Sequence, residues 1–254
     1  MQDGYVGDIG DFGKYALLKS LVREDIVLGI MWYLTDVQGG TSDGRFVQYL
    51  SSPDEADGLG ACDLELFSKL EHVVDSGDRR VARVREDCIL PPETVFYEDR
   101  LNVSRVPWRK RPQAREGWFK KGLKVVDRAS LVFLDPDNGL SLNERVKFQK
   151  TGPKHVVLDE IREFLSRGQS LVVYCHQDRR RGGLDVQVRE GIELFRRESQ
   201  IHKAWAFSFH RRAVRIFFIV PARESMAQLL TRRSADFKEG PFGMGGHFRP
   251  WALP

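Results

Sequence analysis

Apolar residues in this chain gather into short runs of two kinds. Residues 27–34 (VLGIMWYL), 131–134 (LVFL) and 170–175 (SLVVYC) are apolar almost throughout and do not alternate, which is the pattern of strands buried on both faces of a parallel sheet. Residues 94–97 (TVFY) predict a further strand, and 204–209 and 214–220 predict two more. Only His210 to Ala213 joins that last pair. It must be antiparallel, because a parallel crossover needs a dozen residues or more. Between the strands the spacing turns helical. Tyr15, Leu17, Leu18, Leu21 and Val22 predict a helix over 12–23 with Asp11 as its N-cap. Further helices are expected over 116–127, 158–167 and 184–198. No internal repeat is visible. Strand and helix in alternation, closed by a hairpin, predict an α/β fold: one mixed sheet with helices on both faces. Residues 1–254 read as a single α/β domain. Within it, 51–90 is a helical insertion carrying Leu64, Phe67, Leu70, Val73 and Val74 at helical spacing, 108–113 a basic loop, and 240–254 a Gly/Pro-rich tail.

The run at 131–134 stops in Asp135-Pro136-Asp137-Asn138-Gly139. Pro fixes φ, while Gly and Asn tolerate φ > 0, so this is turn chemistry. Two carboxylates and an amide therefore stand where a buried parallel strand ends, the edge at which open α/β sheets bind ligands. An acidic surface turn has the same sequence, and the rest of the chain has to decide between them.

Composition narrows the setting. With 254 residues, 41% hydrophobic and 30% charged, the chain is an ordinary globular protein with room for a full core. Lys and Arg exceed Asp and Glu by 40 to 36, a mild excess. The arginines are bunched at 109–111 (with Lys110), 179–181, 211–212 and 232–233, which makes RNA or DNA a candidate partner. Cys62, Cys88 and Cys175 are odd in number and widely spaced, so neither a disulfide framework nor a zinc ribbon is expected. No basic and apolar leader opens the sequence, and no apolar run is long enough to span a bilayer. A cytoplasmic protein is expected, with no membrane association. The sequence leaves its oligomeric state open.

Other candidate groups surround the acidic turn. Lys14 falls in the first turn of the 12–23 helix, where the dipole disfavours a cation. It is either an exposed lysine or, held by Asp8 and Asp11, part of an anion site at the helix start. The loop at 35–44 after the first strand is rich in glycine, and Gly39, Gly40 and Asp43 would let backbone approach a ligand. Glu98 follows the 94–97 strand, where a carboxylate can hold a ribose hydroxyl. Glu160 lies in the first turn of a helix, which the helix dipole alone explains. His176 leaves a buried strand. With Asp135, Asp137 and Glu160 it would make a hard-cation set for Mg²⁺ or Mn²⁺, the basis of an alternative reading as a metal-dependent nuclease or phosphodiesterase.

The order of elements resembles the class I, three-layer Rossmann-like fold of S-adenosylmethionine-dependent methyltransferases, whose mixed sheet ends in a C-terminal antiparallel hairpin. Gly7-Asp8-Ile9-Gly10-Asp11-Phe12-Gly13-Lys14-Tyr15 resembles the opening Gly-Asn-x-Ala-Asp-x-x-Lys-His segment of the 23S rRNA adenine-N6 methyltransferase family. That resemblance implies S-adenosylmethionine as cofactor with Lys14 beside it, and Asp8, Gly39, Gly40, Asp43 and Glu98 are the further candidates to hold it. It implies a nucleic-acid acceptor at Asp135, Asp137 and Asn138, which match the family's catalytic Asp-Pro-Pro-Tyr with no metal in the catalytic set. Asp137 and Asn138 stand where the family has Pro and Tyr, so the ring that stacks the base is missing. The 38–43 loop also lacks the compact glycine pattern. A catalytically inactive nucleic-acid-binding protein is the third expectation.

Overall fold

The computed structural model describes residues 1–23, 25–36, 44–179 and 181–254. The chain runs α1 (Ile9–Leu21), β1 (Leu28–Met31), α2 (Pro53–Asp57), α3 (Leu64–Asp75), α4 (Arg83–Glu86), β2 (Val95–Tyr97), α5 (Arg111–Val125), β3 (Leu131–Leu134) and β4 (Gly139–Ser141). It continues with β5 (His155–Val157), α6 (Leu158–Ser166), β6 (Ser170–His176), α7 (Gly183–Glu198), β7 (Trp205–Arg211), β8 (Ala213–Val220), α8 (Glu224–Glu239), α9 (Pro241–Met244) and β9 (Phe248–Trp251).

Seven of these strands form one sheet in the order β2-β1-β3-β6-β8-β7-β9. The first four are parallel, with Leu28 opposite Leu131 and Leu131 opposite Ser170. β8 returns antiparallel to β6 and pairs with β7. Successive residues of the buried strands feed opposite faces, as the pleat requires. Leu131 and Phe133 join one core with α1, α3 and α8, while Val132 and Leu134 join the other with α5, α6 and α7. The result is a three-layer, Rossmann-like α/β architecture. Among the described residues no helix is long and apolar enough to cross a membrane.

Several expectations are corrected. α1 starts three residues early, because Asp8 rather than Asp11 caps it by accepting from Gly10 N at 2.9 Å. Residues 108–113 are not a loop. Trp108–Lys110 is a 3-10 turn leading into α5, and Pro112 sits in the first turn, where its missing N–H costs nothing. The hairpin is not at the sheet edge either. The tail supplies β9, which pairs with β7, and Phe248 packs its ring on Phe209 and Phe237. A Gly- and Pro-rich tail shows no period because two buried aromatics, Phe242 and Phe248, and not a stripe, tie it down. The polar stretch after Asn138 holds β4, which pairs in parallel with β5 as a separate two-stranded sheet. The 51–90 region is helical and joins the α1 core through Leu66, Phe67, Leu70 and Val73.

Candidate active site

β1, β3 and β6 all end at one edge of the sheet. α1 begins there, and β8 starts there, since His176 faces Arg215. The turn after β3 therefore opens into a cavity of about 340 Å³, lined among others by Asp8, Asp11, Lys14, Asp135, Asp137, Asn138, Lys154, Tyr174 and Arg215. That volume is in the range of small-molecule sites, roughly 300–1,000 Å³.

Lys14 is the centre of the charge arrangement. The helix turns it inward, and it is 3% exposed. Its Nζ lies 2.7 Å from Asp11 Oδ1 and 2.8 Å from Asp135 Oδ2. It also stands over the rings of Trp32 and Tyr174 at 5.8 and 5.6 Å. The exposed first-turn lysine that the sequence allowed is thus corrected to a buried bridge between two elements. Burial works against the ammonium, but Asp11 and Asp135 outweigh it and hold Lys14 above its usual value. Both carboxyls lie above the ordinary range, because burial costs them more than Lys14 returns.

Asp8 does not hold Lys14. It accepts from Gly10 N and from Phe46 N, and its Oδ1 pairs with Arg215 Nη2 at 2.9 Å. Arg215 crosses the first turn of α1 where Gly10 leaves space. A Cβ at Gly10 would collide with the guanidinium. Gly10→Ala is therefore expected to displace Arg215 from Asp8 and cost about 1–3 kcal/mol by overpacking, measurable by urea denaturation.

The other turn residues are also committed. Asp137 Oδ1 lies 2.6 Å from the α-amino group of Met1, and its Oδ2 lies 3.7 Å from Lys154 Nζ. Burial would raise this carboxyl, but the Met1 amine and Lys154 outweigh it and hold it below the usual value. Asn138 Nδ2 meets His155 Nε2 at 3.2 Å, and Asn138 N donates to Lys154 O at 2.8 Å. Gly139 adopts φ +99° against Cys175, a conformation and a contact that exclude a side chain.

Glu98 stands apart from this cluster, at the end of β2, next to the end of β1. Among the described residues, Glu98 Oε1, Trp32 Nε1 and Thr35 Oγ1 are buried without a hydrogen-bond partner. Arg85 Nη1 is 3.5 Å from Glu98 Oε1, close enough for an ion pair but outside hydrogen-bond geometry. Three orphaned polar atoms at the ends of two neighbouring strands fit a ligand with hydroxyl and amine groups, since such groups are rarely left unpaired. Between them Tyr33 is held at φ +48°, an outlier for a bulky residue that is typical of functional positions. Its hydroxyl donates to Glu160 at 2.9 Å. Gly39, Gly40 and Asp43 lie outside the described residues.

Glu160 takes no part in the cavity. It forms a two-pronged pair with Arg115, at 2.7 and 2.8 Å, in the opposite core. Asp135, Asp137 and His176 line one cavity, but Glu160 is not brought to them, and no group of three or more His, Cys, Asp or Glu among the described residues could hold a metal ion. The arginine clusters divide as well. Arg211 and Arg212 stand at the β7–β8 turn and Arg179 and Arg181 follow β6, at the end of the sheet where the cavity opens, whereas 109–111 lead into α5; Arg180 lies outside the described residues. Arg233 binds Leu21 O, at the far end of α1. Arg111 is buried on the carbonyls of Val103, Val106 and Phe148, and Arg211 pairs with Glu55.

Sequence reasoning missed Arg215, Lys154, Tyr174 and the aromatic rings of Tyr5 and Phe46 that line the cavity, and His155 behind Asn138. Arg215 had a readable signal, a lone charge inside the apolar run 214–220. The others come from chain segments that only the fold brings close. No family model matches the chain, and no curated protein matches it.

Proposed function

We propose that this protein is a cytoplasmic, S-adenosylmethionine-dependent methyltransferase-like enzyme acting on nucleic acid. One observation carries the reading: the Asp135–Asn138 turn opens into a cavity at the end of β3, beside the ends of β1 and β2 with their orphaned polar atoms. That is the crevice where open α/β sheets take their ligands. Glu98, Trp32 and Thr35 would hold the cofactor, with Glu98 on its ribose.

When bound, the cofactor supplies an electrophilic methyl group whose leaving group needs no acid. The protein's task is then alignment. Asp135 orients the acceptor amine and takes its proton. Its carboxyl lies above the ordinary range, which makes it a better base than a solvated aspartate. Lys14 and Asp11 hold that carboxyl in place. The stacking ring absent at Asn138 has substitutes in Tyr5, Phe46 and Tyr174, all on the cavity wall. The three cysteines are free, as a reducing compartment requires.

The test is incubation with methyl-tritiated S-adenosylmethionine and separate pools of RNA and DNA. Label in one pool, lost in Asp135→Asn, is the expected result. Oligonucleotide binding without transfer at saturating cofactor would instead assign an inactive binding protein.

A further inference from the structure

Two large aromatic side chains stand in the open next to each other on the segments 108–110 and 144–148. Trp108 is 56% exposed and Phe148 39%, with ring centroids 5.8 Å apart. They belong to distant segments, the 3-10 turn before α5 and the 3-10 helix Glu144–Phe148. Buried Arg111 fastens the two, because its Nη1 donates to Phe148 O at 2.8 Å while its Nε reaches Val103 O and Val106 O. The aromatic pair is therefore fixed from beneath and not a chance contact of two loose loops.

The surroundings are basic. The Arg109 guanidinium lies 5.2 Å over the Trp108 ring. Residues 104–113 and 144–154 together hold eight Lys or Arg and a single acid, Glu144. Among the described residues, Arg105, Arg109, Lys110, Arg145 and Lys150 are exposed and have no carboxylate at ion-pair distance. An apolar partner surface would not call for five unpaired cations. Rings flanked by cations suit an alternation of flat base and phosphate.

The position fits as well. The segment that ends the platform at Phe148 runs on to Lys154, which lines the cavity and whose carbonyl binds Asn138 N. Six residues span at most about 20 Å. On the cavity wall Phe46 carries the exposed Arg212 guanidinium at 5.6 Å, a second cation-on-ring pair.

We infer that Trp108 and Phe148, with Arg109 over the Trp108 ring, form a base-stacking platform that holds single-stranded nucleic acid and leads it to the cavity at Asp135–Asn138. The inference rests on nucleic acid being the acceptor. It adds the form of that acceptor, an unpaired strand, and the place where a flanking base is held. Stacking tolerates any base, so the platform contributes affinity and not sequence choice. Arg105, Arg109, Lys110, Arg145 and Lys150 contribute the salt-dependent part through phosphates.

Fluorescence anisotropy of a labelled single-stranded oligouridylate, and of an abasic strand of the same length and charge, tests this on the full chain. Wild type should bind the oligouridylate more tightly than the abasic strand. Trp108→Ala/Phe148→Ala should lose roughly tenfold or more on the oligouridylate and almost nothing on the abasic strand. Both side chains are exposed, and an unchanged melting curve would confirm that the variant folds. Equal binding of the oligouridylate by wild type and variant would overturn the platform and leave the nucleic-acid reading intact. No binding of either strand at low salt would overturn both, while S-adenosylhomocysteine titration would still report separately on the cofactor site. Self-association that the double variant abolishes, without oligonucleotide binding, would assign the patch to a protein interface and overturn the inference.

Discussion

Lys14→Met is expected to lower the melting temperature by about 6–20 °C at pH 7. Removing one partner from a buried ion pair costs about 3–5 kcal/mol, and about 1 kcal/mol moves a chain of this size by roughly 2–4 °C. Methionine fills much of the space of lysine, so the loss reports charge more than volume. Asp11 and Asp135 would remain buried without the ammonium that pairs with both. Both already sit above the ordinary carboxyl range with Lys14 present, and both rise further without it. A folded-state carboxyl raised above its unfolded value binds protons preferentially in the folded state, so stability increases as pH falls. The deficit of the variant should therefore shrink between neutrality and about pH 4, near the unfolded value of Asp. Wild type keeps the Lys14 contribution throughout that window, because a raised lysine loses it only as pH climbs past about 10.4. Lys14→Met/Asp135→Asn should recover part of the loss, giving a non-additive cycle. Thermal melts at pH 7 and pH 5 check all three points. A shift of a degree or two at both pH values would mean that Lys14 is solvated.

Asp135→Asn is expected to reduce methyl transfer by about 10²-fold or more, the range for a positioned base, with little change in cofactor affinity. Asparagine keeps the shape of the turn and leaves Lys14 its bond to Asp11. It cannot take a proton. Asp137→Asn should do less to the rate. Asp137 lies below the usual range and is tied to the Met1 amine and Lys154, which makes it a poor base. Single-turnover rates separate the two. If Asp137→Asn were the more damaging variant, the roles given to the two carboxylates would have to be exchanged.

The parts of the fold that sequence reveals are those where one physical pattern dominates. Leu131–Leu134 is apolar on both faces, and the place of β3 between β1 and β6 follows from such runs. The short link at Arg212 left the hairpin no choice but antiparallel pairing. What failed was set by single contacts that no periodicity carries. Asp8 displaces Asp11 as the cap of α1, and Phe248 draws the tail into an edge strand. The acidic turn was readable as a site because Asp, Pro, Asn and Gly follow a buried run. The state of Lys14 was not. Helix position says that a first-turn lysine is disfavoured, but not that two carboxylates 3 and 121 residues away enclose it. Glu160 misled for the same reason. Its partner Arg115 lies 45 residues back, and only the packing of α5 against α6 joins them.

Isothermal titration with S-adenosylhomocysteine, on wild type and Glu98→Gln, tests the cofactor site most directly. One molecule is expected to bind per chain. Glu98→Gln should bind at least about tenfold more weakly, since a hydrogen bond to a charged carboxylate is worth about 1.5–3 kcal/mol. Binding with no effect of Glu98→Gln, or no heat at all from a folded wild-type protein, would contradict the placement of the cofactor at the ends of β1 and β2.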